Sequence, residues 1–237
     1  MTFRPYPGLT LSCLLLFVVL CGLGSWQLQR LQWKLALIDR VNVHMTASPV
    51  SLDQILSMDA EKAQYRRVRL TGHFDHSKEA YVFTTDASGA PVYHVLTPLI
   101  TENGRILMVD RGAVPKQGLD PLTRRAGNIV GQTQLTGVWR VPDAPGFFTP
   151  APDPVHRIWY ARDLAGIAAA THLNLAAPVV IEADATPNSG GLPIGGQTVV
   201  QFRNQHLSYA VTWFGLALVL LGVWFAYNIS KGRISWK

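Results

Sequence analysis

Two long stretches without a single charged residue stand near the ends of this chain, and they constrain its fold more than any other feature. The first occupies residues 5–29 (PYPGLTLSCLLLFVVLCGLGSWQLQ), between Arg4 and Arg30, and the second residues 207–230 (LSYAVTWFGLALVLLGVWFAYNIS), between His206 and Lys231. Crossing a hydrocarbon core of about 30 Å takes roughly 20 residues of helix. A lone segment can satisfy its own backbone in lipid only as a helix. The sequence therefore predicts a membrane α+β protein: two transmembrane helices flanking one mostly antiparallel β domain with one or two short helices. Its divisions are a short N-terminus at 1–8, a transmembrane helix at 9–29, an extracytoplasmic domain at 30–205, a second transmembrane helix at 207–229 and a basic tail at 230–237.

The formal charge of +6 would fit a nucleic-acid binder, but its placement argues against one. All 15 acidic residues lie within 31–205 together with 16 of the 21 basic ones, which leaves that region at net +1. The other five basic residues, Arg4, Arg30, Lys231, Arg233 and Lys237, flank the apolar stretches. That distribution anchors and orients helices in a bilayer and is not a phosphate-reading surface. The Arg66–Arg67–Arg69 run reads as the solvated face of a strand. Short basic ends stay in the cytoplasm, whereas a long loop is translocated largely regardless of charge. Both termini are thus expected in the cytoplasm and the central domain in the periplasm.

The first apolar stretch lacks an A-x-A-like cleavage site, and its helical pattern continues through WQLQRLQWKLALIDRV to about Val43, so it reads as an uncleaved anchor. Cys13 and Cys21, the chain's two cysteines, both lie inside it. The domain can therefore use neither disulfides nor thiolate-bound copper or zinc.

Between the helices, Ser51 is a candidate N-cap for a short helix. From Tyr65 the pattern turns to strands: YRRVRLTGHF, AYVFTT, VYHVLTPLI, RILMVDRGAVP and GQTQLTGVWRV, separated by turn material such as DASGAP and TENG. A Pro-rich loop precedes RIWYARDLAGIAAATHL, a short strand and then a helix capped by Asp163. VVIEAD is the last strand, and TPNSGGLPIGGQ returns the chain to the membrane.

No catalytic signature emerges, and the chain reads as a non-enzyme. His73 and His76 flank Asp75 and are expected as a solvated pair in a turn, not a metal site. Asp110 and Arg111 read as a local ion pair or turn-stabilising pair rather than an acid–base couple, and His94 and His172 as core residues in preference to secondary ligands. On the second helix, a 100° step places His206, Tyr209, Ala210, Trp213, Ala217 and Trp224 on one stripe. His206 at the helix start can cap it, sit among interfacial aromatics, or ligate a haem iron through its neutral imidazole. On the first helix Trp26 and Trp33 share a side, with Arg30 between them as an interfacial anchor or a partner for propionates. Cys21/Ser25 and Gly222/Ala226 are small-x-x-x-small pairs that would permit close helix packing.

GLGSWQLQRLQWKLALI resembles the opening motif of the surfeit-locus-1 family of cytochrome c oxidase assembly factors. YRRVRLTGHFDHSKEAYV, VYHVLTPL with RILMVDRGAVP, and NQHLSYAVTWFGLALVLL resemble that family's later motifs, in order. Ala113 departs from the family's usual Trp, and Arg67 from a common Pro. Pro91-Val92 departs from its Gly-containing turn. The resemblance implies a role in building the haem a–containing catalytic subunit of an aa3-type oxidase. It further implies haem a as a transiently bound cofactor, with His206 as axial ligand. Tyr209, Trp213 and Trp26 would be packing walls, and Arg30 a propionate partner. The catalytic subunit and haem a synthase are the implied protein partners, and a haem-free scaffold is the alternative. With Met1 close to the anchor and no mitochondrial presequence, the expected location is a bacterial inner membrane.

Overall fold

The computed structural model describes residues 2–86, 88–142, 144–198 and 204–235. Met1 of the predicted N-terminus, Trp236 and Lys237 of the predicted basic tail, and residues 87, 143 and 199–203 of the predicted domain lie outside that set. In chain order the first elements are β1 (Thr2–Phe3), α1 (Pro7–Thr46), β2 (Val50–Ser51), α2 (Leu52–Leu56), α3 (Ala60–Ala63), β3 (Arg67–Phe74), β4 (Ala80–Thr85) and β5 (Pro91–Thr101). There follow β6 (Ile106–Val114), β7 (Gln132–Arg140), β8 (Ile158–Trp159), α4 (Leu164–Thr171), β9 (Leu175–Ala183), α5 (His206–Ser230) and β10 (Ile234–Ser235). The chain divides into two compact units, Met1–Arg40 with Gln201–Lys237, and Val41–Val200.

The first unit is built on α1 and α5, both long and apolar enough to span a membrane. The 40 residues of α1 make about 60 Å of helix at 1.5 Å per residue, roughly twice a hydrocarbon core. Its apolar part runs without a break into the more polar helical continuation to about Val43 that the sequence marked. Pro7 begins the helix where a missing N–H costs nothing. Beyond the helices, β1 pairs with β10 antiparallel through Thr2–Ser235 and Phe3–Ile234.

The second unit is β-rich, and each run with strand character in the sequence is a strand. The sheet order is β2-β3-β7-β9-β6-β5-β4-β8, with an additional β3–β5 pairing. That pairing joins Gly72–Phe74 to Leu99–Thr101, so β3, β7, β9, β6 and β5 close into a ring. Closure gives each of these five strands a neighbour on both sides, while β2 and the β4–β8 pair branch from the ring. Three pairings are parallel (β2–β3, β4–β8 and β6–β9) and the rest antiparallel.

Strand alternation then sorts side chains onto two sides. Val68, Leu70, Leu99, Leu107, Val109, Trp139 and Ile181 form one core, plugged by Ile55 of α2 and Ala63 of α3. Met108, Leu96 and Val180 lie in a second core with Ala80, Val82, Trp159 and Leu164 and Ile167 of α4. The helices start where the sequence placed them. Ser51 and Gln54 form a reciprocal capping box, and the Asp163 side chain accepts from the Gly166 N–H at 3.0 Å. Gly112, at φ +117°, lies between Asp110 and Ala113, where the β5–β6 register shifts. A Cβ there would lie 2.0 Å from the Ile194 carbonyl oxygen, so only glycine admits the returning 184–196 loop.

Two local readings change. His172 is not a core residue: it is exposed and ends α4 in the left-handed region at φ 53°. His76 is not solvated, because its ring is drawn against a buried carboxylate described below.

Candidate functional site

The inner stripe of α1, with Tyr6 just before it, runs through Thr10, Cys13, Phe17, Leu20, Gly24 and Gln27, and that of α5 through His206, Ala210, Trp213, Ala217, Trp224 and Asn228. Steps of three and four keep each series on one helix face. The two faces meet antiparallel. At one end Gln27 Oε1 accepts from His206 Nδ1–H at 2.8 Å. At the other, Trp224 Nε1–H donates to Thr10 Oγ1 at 3.2 Å, and the Tyr6 N–H to Asn228 Oδ1 at 3.4 Å. Between them the Phe214 ring lies against Gly24, where a Cβ would meet it at 2.8 Å.

Close packing therefore comes from Gly24, Ala210 and Ala217. The pairs marked in the sequence do not supply it: Ser25 and Ala226 are exposed, and a Cβ on Gly222 would meet nothing within 4 Å. Small residues are common in apolar helices, and only the phase of the partner stripe selects those that touch.

The predicted site residues separate. His206 faces α1, and Trp213 is half-buried on the same stripe. Tyr209 is 51% exposed and off that stripe, because it lies about 60° round the helix from His206, outside the roughly −20° to +40° that the other stripe residues span. Trp26 and Trp33 are 55% and 48% exposed, and the Arg30 guanidinium stacks 4.2 Å from the centre of the Trp33 ring. With Nδ1–H donated to Gln27, a neutral imidazole at His206 would carry its lone pair on Nε2, which has no hydrogen-bond partner among the described residues. Such a nitrogen can accept a proton or coordinate a metal centre, oriented by the bond at the opposite side of the ring.

The β-rich unit holds two buried ionic clusters. Asp110 and Arg111 do not pair with each other; as consecutive strand residues they point to opposite sides of β6 and enter different clusters. Asp110 Oδ2 accepts from His94 Nδ1 at 2.7 Å and from Arg162 Nη2 at 2.8 Å. Arg162 also lies 3.6 Å from Glu182, the residue opposite Asp110 on β9, and so bridges two like charges. Burial opposes ionisation of Asp110, yet the His94 bond and the Arg162 charge hold its pKa below the usual value.

On the other side, Glu79 is fully buried immediately before β4. His76 donates to its Oε1 at 2.8 Å and Thr97 at 3.3 Å, while Arg124 and Tyr81 bond Oε2, Tyr81 at 3.3 Å. Burial alone would raise the Glu79 pKa; the bonds from His76 and Arg124 outweigh it and bring it from 4.5 to about 2. The Tyr81 hydroxyl, buried beside that carboxylate, is pushed up to about 12. Arg111 stands 3.9 Å from Glu79 and donates instead to the Gly127 carbonyl and, at 3.3 Å, to Asn188 Oδ1, with Phe74 under its guanidinium at 4.8 Å. These clusters were missed in the sequence because their members come from separate strands and loops. The one hint is charged residues set in otherwise apolar strands, as in LMVDRGAV. Among the described residues, no group of three or more His, Cys, Asp or Glu side chains could hold a metal ion.

Two apolar helices and a closed β-rich unit carrying buried ion networks define a membrane-anchored α+β protein. Comparison with known proteins supplies its family. The chain matches the model of the SURF1 family over residues 14–218. It is 36% identical over 229 residues to surfeit locus protein 1 of Takifugu rubripes, covering 90% of this chain and 94% of that one. It is 37% identical over 231 residues to surfeit locus protein 1 of Homo sapiens, covering 90% and 75%. With surfeit locus protein 1 of Rattus norvegicus the identity is 36% over 222 residues, covering 86% and 70%. The chain belongs to the SURF1 family, a family of cytochrome c oxidase assembly factors.

Proposed function

We propose that this chain assists cytochrome c oxidase assembly by holding haem a at the His206 end of its helix pair and presenting it to the oxidase catalytic subunit. The observation that carries the reading is the state of His206: Nδ1 is tied to Gln27, and Nε2 is left without a partner among the described residues. A side chain so held fits an axial ligand, since a hydrogen bond on one ring nitrogen orients the other. Haem a, when bound, supplies the iron that such a nitrogen ligates. Trp213 and the exposed Trp26 offer apolar ring surface. The Arg30 guanidinium carbon lies 4.2 Å over the Trp33 ring, and its N–H donors suit a propionate carboxylate. Tyr209, turned outward, serves in this reading as an interfacial anchor rather than a wall.

The setting is a bacterial inner membrane. The basic residues Arg4, Lys231 and Arg233 would keep both termini cytoplasmic, and the β-rich unit would be periplasmic, where haem a synthase could also dock. No reaction is asked of the chain.

The test is an optical spectrum of protein purified from cells that also make haem a, beside His206→Ala and Gln27→Leu. The expected result is a haem a spectrum in the wild type that is lost in His206→Ala and weakened in Gln27→Leu. A colourless wild type prepared with ample haem a refutes haem binding and leaves the family role to a haem-free scaffold.

A further inference from the structure

The Glu79 cluster is unbalanced. Two buried guanidinium groups, Arg111 and Arg124, share one buried carboxylate, and Glu79 spends both oxygens on Arg124, His76, Thr97 and Tyr81. Arg111 is 2% exposed; its Nη1 lies 3.9 Å from Glu79 with no hydrogen-bond partner among the described residues, and the groups it does bond are neutral oxygens. A buried cation without a bonded counter-charge is costly, which is why burial pulls the Arg111 pKa down to about 10.

Beside this surplus charge lies a cavity of about 280 Å³, lined by Arg111 itself, by Phe74 under its guanidinium, by Asn188 and Ile129, and by hydroxyl and amide groups that include Thr133. Asn188 Oδ1 is the most replaceable of the Arg111 contacts: it is neutral and stands at 3.3 Å. A charged oxygen in its place would make a shorter, charge-assisted bond. Asp184 is the one carboxylate in the lining; Thr186 caps it, and Arg67 lies 3.7 Å away.

We propose that this cavity binds a small oxyanion, a carboxylate or phosphate, with Arg111 as its charged receptor and Asn188 as the group displaced. Its size sits at the lower end of small-molecule sites, which admits an anion of a few heavy atoms and excludes a macrocycle. The site lies wholly within the β-rich unit and does not depend on His206.

The experiment is thermal unfolding of the full chain in mild detergent, titrated with acetate, succinate or phosphate against chloride at matched ionic strength. At about ten times its Kd, the preferred anion should raise Tm by about 3–5 °C. Preference for succinate or acetate identifies an organic acid, and preference for phosphate an inorganic ligand. Arg111→Lys, which keeps the charge but loses the planar fork, should weaken binding roughly tenfold. Asp184→Asn, which removes the opposing charge and keeps the cap, should tighten it about threefold. The proposal is overturned if no anion exceeds chloride. It is overturned equally by an unchanged affinity in Asp184→Asn, even where Arg111→Lys fails to fold.

Discussion

Replacing Glu79 with glutamine keeps the shape of the side chain and removes its charge, and the structure sets the size of the result. The carboxyl is held at about 2 in the folded chain against an ordinary 4.5. At about 1.36 kcal/mol per pKa unit, that difference corresponds to about 3 kcal/mol of stability at neutral pH. Removing one member of a buried ion pair gives a similar figure by a separate route, about 3–5 kcal/mol, because Arg124 is left without its counter-charge. For a β-rich unit of this size, Glu79→Gln should lower Tm by roughly 10 °C. The direction with pH follows from the lowered pKa. The stabilisation is complete above the unfolded value of 4.5 and disappears as pH falls through about 2. The assay is denaturant unfolding of wild type and variant from pH 7 to pH 2, read as a difference so that other carboxylates, Asp110 among them, cancel. The gap between the two should be widest at neutral pH and close near pH 2. A gap under about 1 kcal/mol at pH 7, or one that stays constant with pH, would refute the reasoning.

Two further substitutions test the frame around the clusters. Ser51→Ala removes one half of the capping box on α2 and should cost about 1 kcal/mol, seen as faster hydrogen exchange at the Gln54 amide. Gly24→Val sets a branched side chain into the Phe214 ring and should destabilise the helix pair by about 1–3 kcal/mol. The check is the midpoint of helix-pair unfolding in denaturing detergent, read by far-UV circular dichroism; an undiminished midpoint contradicts the contact.

Much of the fold was legible. The spans, the N-caps at Ser51 and Asp163 and the six main strands all rest on patterns within a dozen residues, where hydrophobic period and capping chemistry act directly. The helix-face reading was partly legible. A 100° wheel placed His206, Ala210, Trp213, Ala217 and Trp224 together, but it was drawn wide enough to admit Tyr209. The small-residue pairs failed for a related reason, since periodicity says which residues share a face and not which face is met. Asp110 and Arg111 were misread as partners because adjacency in sequence is opposition in a strand. Gln27, which bonds His206, carried no signal of its own in the sequence; it enters the proposed site only through a contact 179 positions away.

Sequence alone determined that this chain anchors in a membrane by two helices and folds the rest as β structure, because span length, charge placement and alternation are local properties that lipid and water enforce one segment at a time. The closed ring of strands, the Gln27–His206 bond and the Glu79–Arg124 pair, 45 residues apart, were decided only by tertiary structure. Each joins groups whose interaction exists only after distant segments have excluded water between them, and burial is what turns those charges from solvated surface into a network with a surplus cation.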